Sequence, residues 1–294
     1  MGDHYIPQCY LRGFAERPEC RTTYMFQKGS ADHIRTNLRN VAQQTKLYSR
    51  ELEAFFANSI EAPTKPVLDK IIAQQSITEA ERSIFVTFVV AMWRRVPSHK
   101  DVVGKWLEET AESYYVQLES EIKHLRELHP GKRDILNNRM LELHALRKEN
   151  RITPERIWFQ LLQSGPSPKV SWAISNMSWQ FLITDGDEFL TSDNPVFFFK
   201  SLGVGHMNSE VTFPVSSKIA LFATWQSNVH HGYRPATGQQ IQEINRRTSS
   251  AAIKYLFFPR TRDWIPKLAN TSQPKLHQLT KDPSDARLVH MPGS

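Results

Sequence analysis

The chain has 294 residues, 40% of them hydrophobic and 11% aromatic, enough to bury a sizeable core as one large domain or two small ones. Its 23% charged residues exclude a disordered chain, and its two cysteines, Cys9 and Cys20, exclude a disulfide framework and leave reduced thiols as the expectation. The formal net charge of +7 raises the question of a polyanion partner, yet the excess is dispersed: residues 121–156 hold nine Lys/Arg against six Asp/Glu, and residues 1–49 hold seven against four.

The chain start is dense in large apolar residues. Tyr5, Ile6, Tyr10, Leu11 and Phe14 surround a titratable His4 and the amide Gln8, so this segment is expected to be ordered and to present His4 to a site. It lacks the apolar run of a signal peptide. Residues 21–28 read as a strand closed by Gly29-Ser30, and Lys46 to Ser49 as extended chain. Helices follow. Arg50 to Asn58 is amphipathic through Leu52, Phe55 and Phe56, and Pro63 and Pro66 are expected to interrupt or restart it. Thr78-Glu79-Ala80-Glu81 fits a capping box. The helix after it is apolar almost all round from Ile84 to Trp93, the pattern of a central core helix. Its run from Ser83 to Trp93 is the most apolar in the chain, but spans only eleven residues against the ~20 a bilayer requires. A soluble cytoplasmic protein is therefore expected.

Pro97-Ser98 breaks that helix. Asp101 to Leu128 and Asp134 to Glu149, separated by Pro130-Gly131, read as a long charged helical hairpin, with His124, His129 and His144 on its surface. Thr153-Pro154 supplies an N-cap and a first-turn proline for a helix near 154–163. Beyond the Ser164–Pro168 break, Lys169 to Met177 reads as a helix. Trp179–Thr184 and Glu188–Thr191 read as a β-hairpin around Asp185-Gly186-Asp187. Val196–Lys200, Glu210–Phe213, Ile219–Thr224 and Tyr255–Phe258 are further strands, and Gln239–Ala251 a helix. The expected fold is α+β in one domain over residues 1–260, with a helical middle at about 50–165 and a small antiparallel sheet at about 166–260. Residues 261–294 read as a loosely ordered tail.

Several short motifs stand in order along the chain: the opening Asp3-His4-Tyr5, Glu61 on a helix, Arg95-Val96-Pro97 closing the core helix, Trp179 to Phe181 followed by Ser192-Asp193-Asn194-Pro195, Phe213-Pro214-Val215-Ser216, and Ile244-Asn245. Together they resemble an uncharacterised, mainly bacterial family catalogued as domain of unknown function 4238. The resemblance implies a shared fold over roughly residues 3–258 and carries no activity. The family often opens with two adjacent histidines; Asp3 stands where the first would be.

No metalloprotease, P-loop, dinucleotide-fold or nucleophile-elbow signature is present, and the adjacent His230-His231 rings diverge on either a strand or a helix. The chemistry-bearing residues are instead single groups beside breaks. Pro7 follows His4, Pro97 follows Arg95 and Pro195 follows Asp193. These three are expected to line one cavity, with Glu61 as a fourth member. The first function class is a hydrolase of a phosphate-containing substrate, nucleic acid or nucleotide. In it His4, Glu61 and Asp193 are catalytic, a divalent metal being an option, and Gln8, Tyr10, Arg95, Ser192, Asn194 and Asn245 bind substrate. The second class is a non-catalytic nucleic-acid- or protein-binding module, in which the same residues form a structural network.

Overall fold

A computed structural model describes residues 2–280 except Pro18, 150–153, Pro166, 228–230 and Gln273. Thr153, His230 and residues 281–294, about which the sequence raised expectations, lie outside the described residues. The chain runs β1 (Asp3–His4), α1 (Gln8–Leu11), a 3-10 turn, β2 (Thr22–Gln27), β3 (His33–Asn37), β4 (Gln43–Gln44) and α2 (Arg50–Phe55). A π-helical turn (Phe56–Glu61) leads into α3 (Ala62–Ile72), then α4 (Glu79–Arg94), α5 (Pro97–Leu128), α6 (Arg133–Glu149), α7 (Pro154–Gln163) and α8 (Pro168–Asn176). The remainder is β5 (Ser178–Ile183), β6 (Thr191–Ser192), β7 (Phe197–Phe198), β8 (Glu210–Ser216), β9 (Ile219–Thr224), β10 (Gly232–Pro235), α9 (Gly238–Ala251), β11 (Tyr255–Phe258) and α10 (Trp264–Asn270).

This is a mixed helix-and-sheet, α+β chain. Its contacts divide it into two compact units where the sequence pattern runs residues 1–260 together: residues 1–96 with 165–294, and residues 97–164. In the smaller unit, α5 and α6 are tied by Arg147 to Glu112 and Glu119 and by His144 to Glu119.

The larger unit holds the sheets found among the described residues. One has strand order β10-β5-β9-β8-β7, another β3-β2-β11-β6, and β1 pairs β4. Among the described residues every pairing is antiparallel except β10 on β5, which is parallel. α4 is the core helix of this unit. Its capping box forms as the sequence requires, Thr78 Oγ1 accepting from Glu81 N and Glu81 Oε2 from Thr78 N. Phe85 and Phe88 are fully buried and meet the Trp179 and Phe213 rings of β5 and β8 at 5.8 and 6.2 Å. Burying each such ring is worth ~1.5–3 kcal/mol.

Two local expectations are corrected. Glu188 to Leu190 is not the return strand of a hairpin: β5 pairs β9 and β10, and β6 pairs β11. The Asn245 side chain, from α9, takes the backbone of this stretch instead, accepting from Leu190 N at 2.9 Å and donating to Glu188 O at 2.9 Å. Pro63 and Pro66 do not break the helix. The chain widens into the π turn just before Pro63, and Ala62 N bonds Ala57 O, five residues back. The wider turn relieves the crowding a proline ring imposes on the carbonyl four residues before it. Part of the stretch expected to be a loose tail is helical, as α10 (Trp264–Asn270). α10 buries Ile265 and Ala269 against Phe26 and Leu256, and Leu276 packs with Phe197 and Phe199.

That last segment is held by charge. Arg247 and Glu210 are fully buried and bonded at 2.6 Å, with Arg247 Nε 3.3 Å from Glu243 and the guanidinium over the Phe197 and Phe199 rings. Glu210 also accepts from Leu279 N and Thr280 N, both at 2.9 Å, and from Thr280 Oγ1 at 2.7 Å; Glu243 accepts from His277 N at 2.8 Å. Two buried carboxylates thus bind the backbone of the chain's last described residues.

Candidate functional site

The chain start is tied down as its composition requires. Ile6, Tyr10, Leu11 and Phe14 are almost fully buried, and Tyr10 stacks on Phe213 at 5.1 Å. Tyr10 donates its hydroxyl proton to Pro214 O at 2.7 Å, so the 2.6 Å contact with Thr191 is donated by the threonine. Gly13 makes the docking possible, because a Cβ there would stand 2.9 Å from Val215 O. Docking this segment carries β1 and α1 to the side of the α2–π turn–α3 helix, and a cleft of about 420 Å³ opens between them.

His4, Gln8 and Cys9 line one wall of this cleft; Arg50, Glu53, Ala54, Phe56, Ala57 and Glu61 line the other; Arg95 completes it. The helical wall follows from spacing: positions 50, 53 or 54, 57 and 61 recur every three or four residues, while Leu52 and Ile60 turn into the core. Arg95 ends α4 and is buried. Its Nη1 donates to Glu61 Oε1 at 2.8 Å and its Nη2 to His4 O, while the guanidinium lies 4.3 Å from the Phe56 ring. Tyr48 donates its hydroxyl to Arg95 O, and Tyr48 N donates to Asp3 Oδ2 at 3.0 Å. Arg95 Nε is buried and has no partner among the described residues.

His4 Nε2 lies 3.1 Å from Arg39 O. A carbonyl only accepts, so Nε2 carries the proton and Nδ1 holds the free lone pair. Burial, followed by the Arg95 charge, lowers the His4 pKa, against the Arg39 bond and the Glu61 and Asp3 charges. Glu53 is pushed the other way: partial burial, the Asp3 charge and a hydrogen bond with Asp3 raise it above the usual carboxylate range. Cys9 is not a nucleophile here, since burial and the Glu61 charge push its thiol up to about 11. Among the described residues no group of three or more His, Cys, Asp or Glu side chains is placed to hold a metal ion.

The expected site residues therefore separate. His4, Gln8, Glu61 and Arg95 share the cleft. Asp193 is not among its lining residues, so the single cavity expected for His4, Arg95 and Asp193 is not formed. Its two oxygens accept from Ile253 N, Lys254 N and Tyr255 N at 2.8, 2.8 and 3.1 Å, pinning the bend that leads into β11. Ser192 Oγ accepts from Asn194 N at 3.1 Å and Asn194 Nδ2 donates to Ala251 O at 3.0 Å, both buried. With Tyr10 and Asn245 committed as described above, Ser192, Asp193 and Asn194 belong to a buried network that joins chain segments. A polar side chain beside a proline marks a bend, and the bend here uses the side chain for itself.

Arg50, Glu53, Cys9 and Asp3 enter the picture only with the structure. The signal for Arg50, Glu53 and Glu61 was present as the polar stripe of an amphipathic helix, which in sequence is indistinguishable from a solvated face.

A family model described as a protein of unknown function, DUF4238, matches residues 3–262. The chain belongs to the DUF4238 family. No curated protein and no solved structure matches it. The DUF4238 match spans both the cleft residues and the buried Ser192–Pro195 network, and it carries no activity. Among the described residues of this DUF4238 chain no helix is long and apolar enough to cross a membrane.

Proposed function

We propose that the cleft is the reaction site of a hydrolase acting on a small phosphate-containing substrate, such as a nucleotide or a nucleic-acid end. The observation that carries this reading is the buried Arg95 guanidinium, fixed by Glu61 and the His4 carbonyl, with Nε unpartnered among the described residues at a cleft that also holds an imidazole and the Glu53 carboxyl. Arg95 and Arg50 hold the anionic phosphate. His4 Nδ1 takes a proton from water, whose oxygen forms the new bond to phosphorus. The bond to the leaving oxygen breaks, and Glu53 supplies that oxygen with its proton. A neutral His4 and a protonated Glu53 are the forms this exchange needs, and the directions of their pKa shifts favour both. Reduced Cys9 and Cys20 fit a cytoplasmic setting. The test is release of inorganic phosphate from a panel of nucleotides and an aryl phosphate by the full chain, by Glu53→Gln and by His4→Gln. Turnover lost in both variants at unchanged melting temperature supports the reading; no turnover by the unaltered chain on any member removes it.

A second reading is a non-catalytic module that binds nucleic acid or protein. Tyr10, Ser192, Asp193, Asn194 and Asn245 favour it, because each is spent on buried bonds within the fold. In this reading α5 and α6 are a long charged helical hairpin that presents the contact surface. Titration with DNA and RNA oligomers at several salt concentrations tests it: binding should be indifferent to sequence and weaken steeply with salt.

A further inference from the structure

One face of the five-stranded sheet gathers buried polar atoms that the fold does not pair. On β8, Glu210 and Thr212 are two residues apart and share a face; Val211 and Phe213 take the other, where Phe213 meets α4. Phe197 on β7 stands opposite Thr212 in an antiparallel pair, so its ring lies on the Thr212 face as well. Arg247 reaches that same face from α9. It bonds Glu210 at 2.6 Å and lies over the Phe197 ring at 5.3 Å. Thr212 and Arg247 are 1% and 0% exposed, yet Thr212 Oγ1 and Arg247 Nη1 have no hydrogen-bond partner among the described residues. Asn194 Oδ1 is a third such atom. The amide nitrogen of Asn194 donates to Ala251 O, one helical turn beyond Arg247 on α9.

Buried polar groups are rarely left unpaired, so three in one neighbourhood call for a partner that is not a side chain. The surrounding charges decide its kind. Arg247 already faces the carboxylates of Glu210 and Glu243, so an anion here would meet both of them. A cation would meet the guanidinium. What fits is a neutral molecule that both donates and accepts, small enough to be enclosed by residues that are themselves almost fully buried.

We infer that one water molecule is bound between Arg247 and Thr212 as a fixed part of the fold. Its oxygen accepts from Arg247 Nη1, and its two protons go to Thr212 Oγ1 and Asn194 Oδ1, about the three bonds a buried water makes. It ties β8 to α9 and to the loop before β7. The inference is independent of the cleft and its chemistry.

Thr212→Val is the discriminating variant, because valine keeps the shape, suits a strand and removes only the hydroxyl. If that hydroxyl were dry and unpaired, valine would relieve its cost and raise the melting temperature. If it holds a water, valine strips the water of one partner, and the melting temperature should fall by a few degrees at unchanged far-UV circular dichroism. A crystal structure of the unaltered full chain with well-defined solvent should show a water ~2.7–3.2 Å from both Arg247 Nη1 and Thr212 Oγ1. A map without that water, or with Arg247 bonded directly to Thr212, overturns the inference. So does a Thr212→Val chain that melts at or above the temperature of the unaltered one. Should Thr212→Val fail to fold, the map of the unaltered chain decides alone.

Discussion

Arg95 illustrates how much one side chain can be asked to hold. It joins the end of α4, the first strand and the π turn through three kinds of contact: a carboxylate, a carbonyl and a ring face. Arg95→Ala leaves Glu61 without its cation and the His4 carbonyl without its donor. The expected loss is ~3 kcal/mol, the low end for a broken buried pair because Glu61 keeps 27% exposure. Arg95→Lys should recover little, since an ammonium lacks the fork that reaches both acceptors. Urea unfolding midpoints measure both. His4 sets a pH dependence. Its folded pKa is lowered from 6.5, so the folded state binds the proton less readily than the unfolded one. Stability should be complete above about 6.5 and fall as the pH drops through the lowered folded value. His4→Gln should flatten the plot of melting temperature against pH over that range. Asp193 behaves as a structural residue: Asp193→Asn turns an NH2 group toward backbone N–H donors and should cost ~1–3 kcal/mol, while any turnover at the cleft persists in the folded fraction. A large activity loss at unchanged melting would instead make Asp193 catalytic.

At the level of elements, the π turn is the device that builds the cleft wall. It holds one residue more than an α-helical turn would, and that residue sets the angle between Phe56, under Arg95, and Glu61, bonded to it. Deleting the exposed Asn58 should straighten the helix, swing Glu61 away from Arg95 and lower the melting temperature by several degrees, with helicity retained. A melting temperature equal to that of the unaltered chain would show that the turn positions nothing. This turn was hidden in the sequence, where two prolines announce a break and nothing announces that a wider turn absorbs them. The α4 capping box, by contrast, was legible because both of its partners lie within four residues. β8, β9 and β11 were legible because β-forming residues fill them. The Asp185-Gly186-Asp187 hairpin misled because its turn signal is local, while the atoms that decide the chain path after it come from Asn245, far along the chain. Asp193 misled for the same reason: its three donors begin sixty residues on.

For the molecule as a whole, the larger unit is closed by chain segments remote in sequence. Residues 5–14 pack on β8, and Ser217 N donates to Gly13 O at 2.8 Å. Residues 276–280 complete the shells of Glu210 and Glu243. Removing residues 1–14 strips several fully buried side chains, each worth ~1.5–3 kcal/mol, and should leave the unit unable to fold. Truncation after residue 274 should destabilise it comparably, because Glu210 would stay buried while losing three of its hydrogen bonds. Thermal melting of both truncations measures this, and a transition like that of the full chain in either would contradict it.

The embrace of Glu210 by Leu279 and Thr280 also bears on the chain's birth. A ribosome delivers the polypeptide from its amino end, and until Thr280 has left the exit tunnel the carboxylate of Glu210 lacks its full set of donors. The sheet around β8 therefore cannot close in its final form before Thr280 has emerged. Residues 97–164, whose helices pack on their near neighbours in sequence, are free to fold long before. Nascent chains arrested short of residue 280 should be protease-sensitive throughout the larger unit while the smaller one already resists.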